Sequence, residues 1–315
     1  MLKYVVRRVL YMPLILFGIT LVTFLLFNVA GGDPATMHAG KHASEEQIAE
    51  IRRELGLDRP LHMQYVFYVK QIASLDFGRS WATRQKITDM ILDGIPASLS
   101  LTFPAFMITL VVTISIALLL VFLRGPRFGE IVDKSVMVVC LAAMSISSLV
   151  YILFLQYFLG YQLGWFPITG WDPDWVGRWE YLILPILIYV VLSLGSNILF
   201  YRTIFMDEIF QDYVRTARSK GLGPKAIMLK HVLRNALIPI ITITVVQLPF
   251  LILGTLLLEA FFGIPGLGGL LYSALGNADF PVIKAMVFMS AVLYMFAQLL
   301  TDILYALVDP KVKLS

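Results

Sequence analysis

Few residues in this chain have the type and spacing that chemistry needs. His38 and His42 stand four apart, a spacing that could put two ligands on one helix face. Gly40 interrupts them and no acidic residue adjoins either, so a solvated loop is expected and no metal site. His62 and His231 are isolated, and the single cysteine, Cys140, sits in an apolar block; it excludes an internal disulfide and a thiolate metal cluster. No glycine-flanked serine nucleophile and no H-E-x-x-H pair occurs. A phosphate loop of the form G-x-x-x-x-G-K-[ST] is also missing: Gly40-Lys41-His42 lacks the hydroxyl residue and Gly223-Pro224-Lys225 lacks the spacing. The sequence therefore predicts no catalytic residues and no cofactor bound by the chain itself; any use of ATP would need a partner.

Two carboxylates stand out for a different reason. Glu259 and Asp302 occur at the ends of long apolar runs, and an ionisable group at membrane depth is costly enough to suggest a function. Glu259 opens the stretch Glu259-Ala260-Phe261-Phe262-Gly263-Ile264-Pro265-Gly266-Leu267-Gly268. There Pro265-Gly266 signals a turn, while Gly266, Gly268 and Gly269 permit close packing. An interfacial pairing role and a role in an outer gate are the two readings for Glu259. Asp302 lies about one turn from the end of the last run, within reach of water.

The elements that must hold these residues are membrane helices. Of the 315 residues, 58% are AVILMFWYC and 15% are charged, with mean hydropathy +0.80, whereas a soluble domain carries about 25% charged residues. Six blocks reach the roughly 20 residues that span a bilayer: Val9–Ala30, Ala97–Leu123, Ser135–Leu159, Tyr181–Phe200, Ala236–Leu258 and Val282–Leu307. In lipid the backbone must satisfy its own hydrogen bonds, so each block is read as a helix despite Pro13, Pro104, Pro185 and Pro249. The first block is longer than the roughly 7–15 residues of a signal-peptide core and reads as a retained anchor. The fold class is thus all-α, polytopic, with six transmembrane helices.

Basic residues set the orientation. With the N-terminus in the cytoplasm, Lys3, Arg7, Arg8, Arg124, Arg127, Lys134, the seven Lys and Arg of the fourth connection, Lys311 and Lys313 all lie inside. The two short outer loops hold only Arg178 and Lys284. Both termini are therefore expected in the cytoplasm. The chain divides into residues 1–30 (N-terminus and first span), an external loop domain at 31–96, a core of five spans at 97–308, and a tail at 309–315. In the external loop Ser44 and Gln47 form a capping box ahead of Ile48, Ile51 and Leu55, and Gly56 occupies the place of a C-terminal glycine. A second apolar stretch follows at Tyr65–Leu75. A cap on the membrane surface and a docking surface for an external partner both fit this loop. Trp165, Trp171, Trp175 and Trp179 cluster in the external loop between the third and fourth spans as an aromatic belt would.

The cytoplasmic connection at 201–235 reads as a helical hairpin: one helix from Asp207 to about Lys220, the break Gly221-Leu222-Gly223-Pro224, and a second from Lys225 to about Arg234. Ala217 and Gly221 share a face near the bend, where small residues would let another protein approach. Arg215, Arg218, Lys220, Lys225 and Lys230 make the exterior basic. A plain positive-inside loop with two interfacial helices is the alternative.

Asp212-Tyr213-Val214-Arg215-Thr216-Ala217-Arg218-Ser219-Lys220-Gly221-Leu222, with His231-Val232-Leu233-Arg234-Asn235-Ala236-Leu237-Ile238-Pro239, resembles the coupling loop of binding-protein-dependent ABC importer permeases. That family carries E-A-A, three residues, glycine, nine residues, then I-x-L-P. Aligned on Gly221, this chain keeps Ala217 and Leu233 but has Arg215, Thr216, His231 and Arg234 at four other motif positions. The form found here is closer to the dipeptide, oligopeptide and nickel branch. Gly32-Asp33-Pro34, the run from Leu55 to Leu61, Asp76-Phe77-Gly78-Arg79-Ser80, the stretch from Glu259 to Gly268, and Asp309-Pro310-Lys311 resemble the same branch in the same order.

The resemblance implies a type I ABC importer permease fold in a bacterial inner membrane. It implies a second homologous permease, two cytoplasmic ABC ATPase subunits that hold ATP and magnesium, and an external solute-binding protein; no nucleic acid is implied. The coupling residues would be Arg215, Thr216, Ala217, Arg218, Gly221 and Leu233, and an external gate or turn would involve Glu259, Pro265, Gly266 and Gly268. Ala217, Gly221 and Leu233 would form the docked face. Peptides are the substrate the branch suggests, with nickel complexes and oligosaccharides as others. Tyr151, Gln156, Tyr157, Ser193, Ser196, Asn197 and Gln247 are polar enough to line a path. A proton- or sodium-driven secondary transporter would be expected to carry charges or broken helices at mid-membrane, often in repeated halves. The centres of the six blocks hold no Asp, Glu, Lys or Arg. An intramembrane enzyme would need a convergent catalytic set that the sequence lacks.

Overall fold

A computed structural model describes residues 2–30, 33–39, 43–54, 56–124 and 128–308. Fourteen α-helical segments account for most of them: α1 (Leu2–Leu25), α2 (Pro34–Ala39), α3 (Glu45–Glu54), α4 (Leu61–Ala73), α5 (Ile87–Phe122), α6 (Phe128–Met144), α7 (Ser148–Leu155), α8 (Trp175–Ile209), α9 (Asp212–Ser219), α10 (Pro224–Ile227), α11 (Leu233–Leu253), α12 (Leu256–Phe262), α13 (Leu267–Gly276) and α14 (Phe280–Val308). Wider π-helical turns extend α1 over Leu26–Ala30 and α7 over Gln156–Gln162, and join α10 to α11 over Met228–Val232. Among the described residues the sole β pairing is one antiparallel bridge between Arg79 and Lys86.

Among the described residues, five helical stretches are long and apolar enough to cross a bilayer: Arg7–Asn28, Ile87–Phe122, Trp175–Ile209, Pro224–Phe262 and Phe280–Ile303. The third block, expected as one straight helix over Ser135–Leu159, is instead a pair, Phe128–Met144 and Ser148–Gln162, bent by 89°. The contacts at the break are local. Ser145 donates its hydroxyl to the Leu141 carbonyl at 2.9 Å, and Tyr151 donates across the break to the Ala143 carbonyl at 3.0 Å. Side-chain hydroxyls thus share backbone acceptors at the break, an arrangement that accompanies helix bending. Counting that pair as one span gives six. Several helices also run well past the apolar blocks that announced them, α5 by ten residues on its N-terminal side.

The chain forms two compact units. The first comprises residues 1–98, 252–260 and 265–315. In it α1 packs along α14. Arg8 pairs with Asp302 at 3.3 Å, so the carboxylate expected to reach water has a cationic partner. Toward the other end of α14, Lys284 donates to Asn28 Oδ1 at 3.1 Å. Helix α4 lies against α1 through a Tyr65–Thr20 hydroxyl contact of 3.0 Å and edge-on rings of Phe17 and Phe24 against Tyr65. The capping box ahead of α3 forms: Ser44 N donates to Gln47 Oε1 (3.0 Å) and Gln47 N to Ser44 Oγ (3.3 Å). Asp279 is buried at the start of α14. Its carboxylate accepts from the Ser80 hydroxyl, from Trp81 N at 3.1 Å and from Ala82 N at 3.3 Å, which anchors the Asp76–Ser80 segment. An apolar core of Ile87, Ile91, Leu267, Phe280, Ile283 and Met286 joins the starts of α5, α13 and α14.

The second unit comprises residues 99–251 and 261–264. Helices α6 and α8 pack closely because Gly195 meets Met144 and the Cys140 carbonyl. A Cβ there would lie 2.8 Å from Met144 Cγ, the close approach that small residues permit between membrane helices. The same pair is tied by two hydrogen bonds from the Arg202 guanidinium to the Asp133 carboxylate. Both residues fall just outside the apolar blocks of the sequence, so the block centres remain free of charge. Trp175 and Trp179 open α8, and Arg178 stacks 4.4 Å from the Trp171 ring.

Candidate functional site

The hairpin between α8 and α11 begins with α8 ending at Ile209, later than expected, and α9 starting at Asp212. α9 is strongly amphipathic. Val214 and Ala217 are buried, whereas Arg215, Thr216, Arg218, Ser219 and Lys220 are exposed. The apolar side packs on Tyr201, Phe205, Ile227, Met228, Val232, Ala236 and Ile240, with Ala117 and Val121 of α5 beneath. Ala217 therefore faces the chain's own core, and Leu233 packs against that core too; neither sits on the exposed face with Gly221 as the sequence suggested. The physical reason is the helical period: with Val214 turned inward, the residue three positions on must follow it. A small side chain at Ala217 lets α9 lie low on its support.

Gly221 ends α9 in a left-handed conformation, φ +76°. Gly221 N donates to the Arg218 carbonyl at 2.9 Å and Leu222 N to the Ala217 carbonyl at 3.2 Å. This is the two-bond terminus that glycine serves best. Pro224 then occupies the first turn of α10. Tyr213 fastens the hairpin by donating to the Glu208 carboxylate. Burial together with that carboxylate pushes the Tyr213 hydroxyl up to about 12. The result is a rigid base presenting Arg215, Thr216, Arg218, Lys220, Gly221 and Leu222 outward.

A second constellation surrounds Glu259, which is 0% exposed. Its Oε1 accepts from Ser98 Oγ at 2.9 Å and Thr255 N at 3.0 Å, and Oε2 from Gly269 N at 3.0 Å. Ser98 Oγ accepts in turn from Leu267 N at 2.8 Å. The neighbouring glycines have no room for a side chain. A Cβ on Gly254 would stand 1.9 Å from Glu259 Oε1, one on Gly266 2.3 Å from Oε2, and one on Gly268 2.6 Å from the Leu256 nitrogen. Glu259, Gly266 and Gly268 thus meet at one knot, while Pro265 stands exposed outside it. The knot fixes the start of α13 and α12 against the beginning of the apolar part of α5. Sequence reasoning missed Ser98: its hydroxyl donates to Glu259, yet it lies 161 residues away in the chain. Asp133–Arg202 and Asp279–Ser80 were missed for the same reason.

The third feature is a cavity of about 280 Å³ among α5, α8 and α11. Ser193, Ser196 and Asn197 of α8 and Gln247 of α11 converge on it, with Thr109, Tyr189 and Tyr201. Thr109 Oγ1 is buried with no hydrogen-bond partner among the described residues. Four of the seven polar residues proposed to line a path therefore share one cavity. The other three do not: Tyr151 braces the bend before α7, Gln156 donates to the Ile168 and Phe261 carbonyls at 2.8 and 3.2 Å, and Tyr157 is exposed, stacked on Tyr161. His38 lies in α2, whereas His42, Gly32, Leu55 and Asp309–Lys311 fall outside the described residues.

Comparison with known proteins matches residues 119–314 to the family described as binding-protein-dependent transport system inner membrane component. Residues 1–102 match the N-terminal region of such membrane components. A glutathione transport system permease protein, GsiC, of Shigella flexneri serotype 5b is 32% identical over 313 residues, 99% of each chain. GsiC of Salmonella typhi shows the same identity and coverage. A protein named as a peptide transport system permease in Brucella abortus strain 2308 is 33% identical over 312 residues, 98% of each chain.

Proposed function

This chain belongs to the binding-protein-dependent inner-membrane permeases of ABC importers, and from that premise we propose that it carries di- and oligopeptides inward as one of two membrane subunits. Partner ATPases hydrolyse ATP, an external binding protein delivers the solute, and a second homologous permease completes the path. Peptide as substrate is favoured by relatives along the whole chain that are named for peptide and glutathione transport. The excess of Lys and Arg on one side puts both termini and the 201–235 hairpin in the cytoplasm.

The observation that carries this reading is the hairpin: a basic face exposed on a base that is itself packed into the spans. A rigid attachment is what transmission requires. ATP binding closes the ATPase pair, and the hairpin converts that closure into a rocking of the spans, a two-state element biased from a distant site. The docked surface comprises Arg215, Thr216, Arg218 and Gly221, with Ala217 and Leu233 supporting it from below. The polar cavity of α5, α8 and α11 is the segment of the path this chain supplies, since uncharged hydroxyl and amide groups can hydrogen-bond a zwitterionic solute without trapping it. Glu259 holds Gly266 and Gly268 in shape beside Pro265, the gate position of this reading.

Affinity purification of the chain from its own cells in mild detergent, with partners identified by mass spectrometry, tests the assembly. A second permease and P-loop ATPases in near-equal amounts are the expected yield. Recovery of this chain alone, under conditions that preserve a control ABC complex, would overturn the importer assembly and favour a secondary transporter.

A further inference from the structure

Within the first unit lies a cavity of about 480 Å³, lined by the ends of α1 and α14, by α4 and by the segment around the Arg79–Lys86 bridge. This is within the range of small-molecule sites. Its charge is lopsided: among the described residues, Arg53, Arg59, Arg79, Arg84 and Lys284 line it against a single acidic residue, Glu54. Lys284 is the key group. It sits one turn inside α14, and among the described residues no carboxylate lies within 4 Å of its ammonium. It donates to Asn28 Oδ1 at 3.1 Å and sits 5.2 Å from the Tyr68 ring centroid. These contacts occupy one of its three N–H donors. Tyr68 Oη, on the same cavity, is buried without a hydrogen-bond partner among the described residues. A half-buried cation and a buried hydroxyl left short of acceptors are costly unless something supplies them.

We propose that this cavity binds the terminal carboxylate of a short peptide, with Lys284 as counter-ion, Tyr68 as a second donor and Phe24, Phe77 and Trp81 receiving an apolar side chain. A carboxylate satisfies both groups and suits the surrounding guanidinium groups. The aromatic walls favour an anion with an apolar body over a bare inorganic ion. The Asp279 clamp on Ser80, Trp81 and Ala82 holds the floor in place without a ligand, so the site is preorganised. The proposal rests on the importer reading in one respect: it places this site at the outer mouth, where a delivered solute arrives.

The test uses the whole importer complex in nanodiscs, without its binding protein or ATP, with calorimetric titration of Ala-Ala-Phe and of its C-terminal amide. The acid is expected to bind, and the amide to bind about tenfold more weakly or worse, since a charge-assisted hydrogen bond is lost. Lys284→Met should lower affinity for the acid by a similar factor and leave the amide unchanged. Competition by inorganic phosphate, or by phosphatidylglycerol in place of neutral lipid, without any acid-over-amide preference, would assign the site to phosphate or lipid and overturn the proposal. So would equal binding of acid and amide, an unchanged Lys284→Met, or no saturable binding up to about 10 mM. A complex that hydrolyses ATP and takes up peptide yet shows any of these overturns the carboxylate site alone; a chain that assembles with no ATPase overturns the importer reading.

Discussion

Glu259 illustrates how a charged side chain can be tolerated at the end of a membrane span. Its carboxylate is enclosed, and each oxygen is met by donors from the backbone of Thr255 and Gly269 or from Ser98. Removing an acceptor that serves several buried donors costs about 1–3 kcal/mol for each group left unsatisfied. Glu259→Ala should therefore destabilise the chain by about 3 kcal/mol, read as a lower unfolding temperature of the purified complex; an unchanged temperature would show the knot to be incidental. That Glu259 mattered was legible, because a carboxylate between apolar runs must be accounted for. What held it was not, because hydrogen bonds across 161 residues leave no trace in local pattern. Lys284 gives the opposite case: counted in the sequence as one of two basic residues on short outer loops, it lines a cavity whose charge only the folded chain reveals.

At the scale of elements, patterns of short range were read correctly and those depending on contact were not. The Ser44–Gln47 capping box and the Gly221–Pro224 break each follow from residues a turn apart. The 89° bend in the third span does not announce itself, because Ser145 and Ser147 are also tolerated in straight membrane helices. Likewise Ala217 matched a family position, but only packing reveals that it faces inward. The Arg202–Asp133 pair between α6 and α8 has side chains 16% and 10% exposed. Breaking it leaves one charge poorly solvated, so Arg202→Ala should cost about 2 kcal/mol, below the range for a fully buried pair. Replacing both partners by leucine should recover most of that, and a double-mutant cycle of unfolding temperatures reads the coupling. At the hairpin, Gly221→Ala incurs the left-handed backbone cost of ~1 kcal/mol but adds no bulk or charge. Uptake should largely survive Gly221→Ala and be abolished by Gly221→Glu, with both chains inserted to normal levels; equal uptake in the two variants would remove the hairpin from coupling.

Over the whole molecule, family membership and the helical pattern agree on a polytopic permease, while the direction it faces rests on the placement of Lys and Arg. Cysteine labelling checks that directly in a Cys140→Ala background. In intact spheroplasts a membrane-impermeant maleimide should label Ser44→Cys, and Ser219→Cys only after permeabilisation; the reverse pattern would invert the topology. On the proposed function this chain moves peptide inward when ATP is hydrolysed by its partners. Uptake of a radiolabelled oligopeptide by proteoliposomes containing the purified complex, with binding protein outside and ATP inside, tests it most directly. The expected result is accumulation that requires ATP and binding protein and disappears with Gly221→Glu. Uptake that persists without ATP and collapses when a proton or sodium gradient is discharged would contradict it.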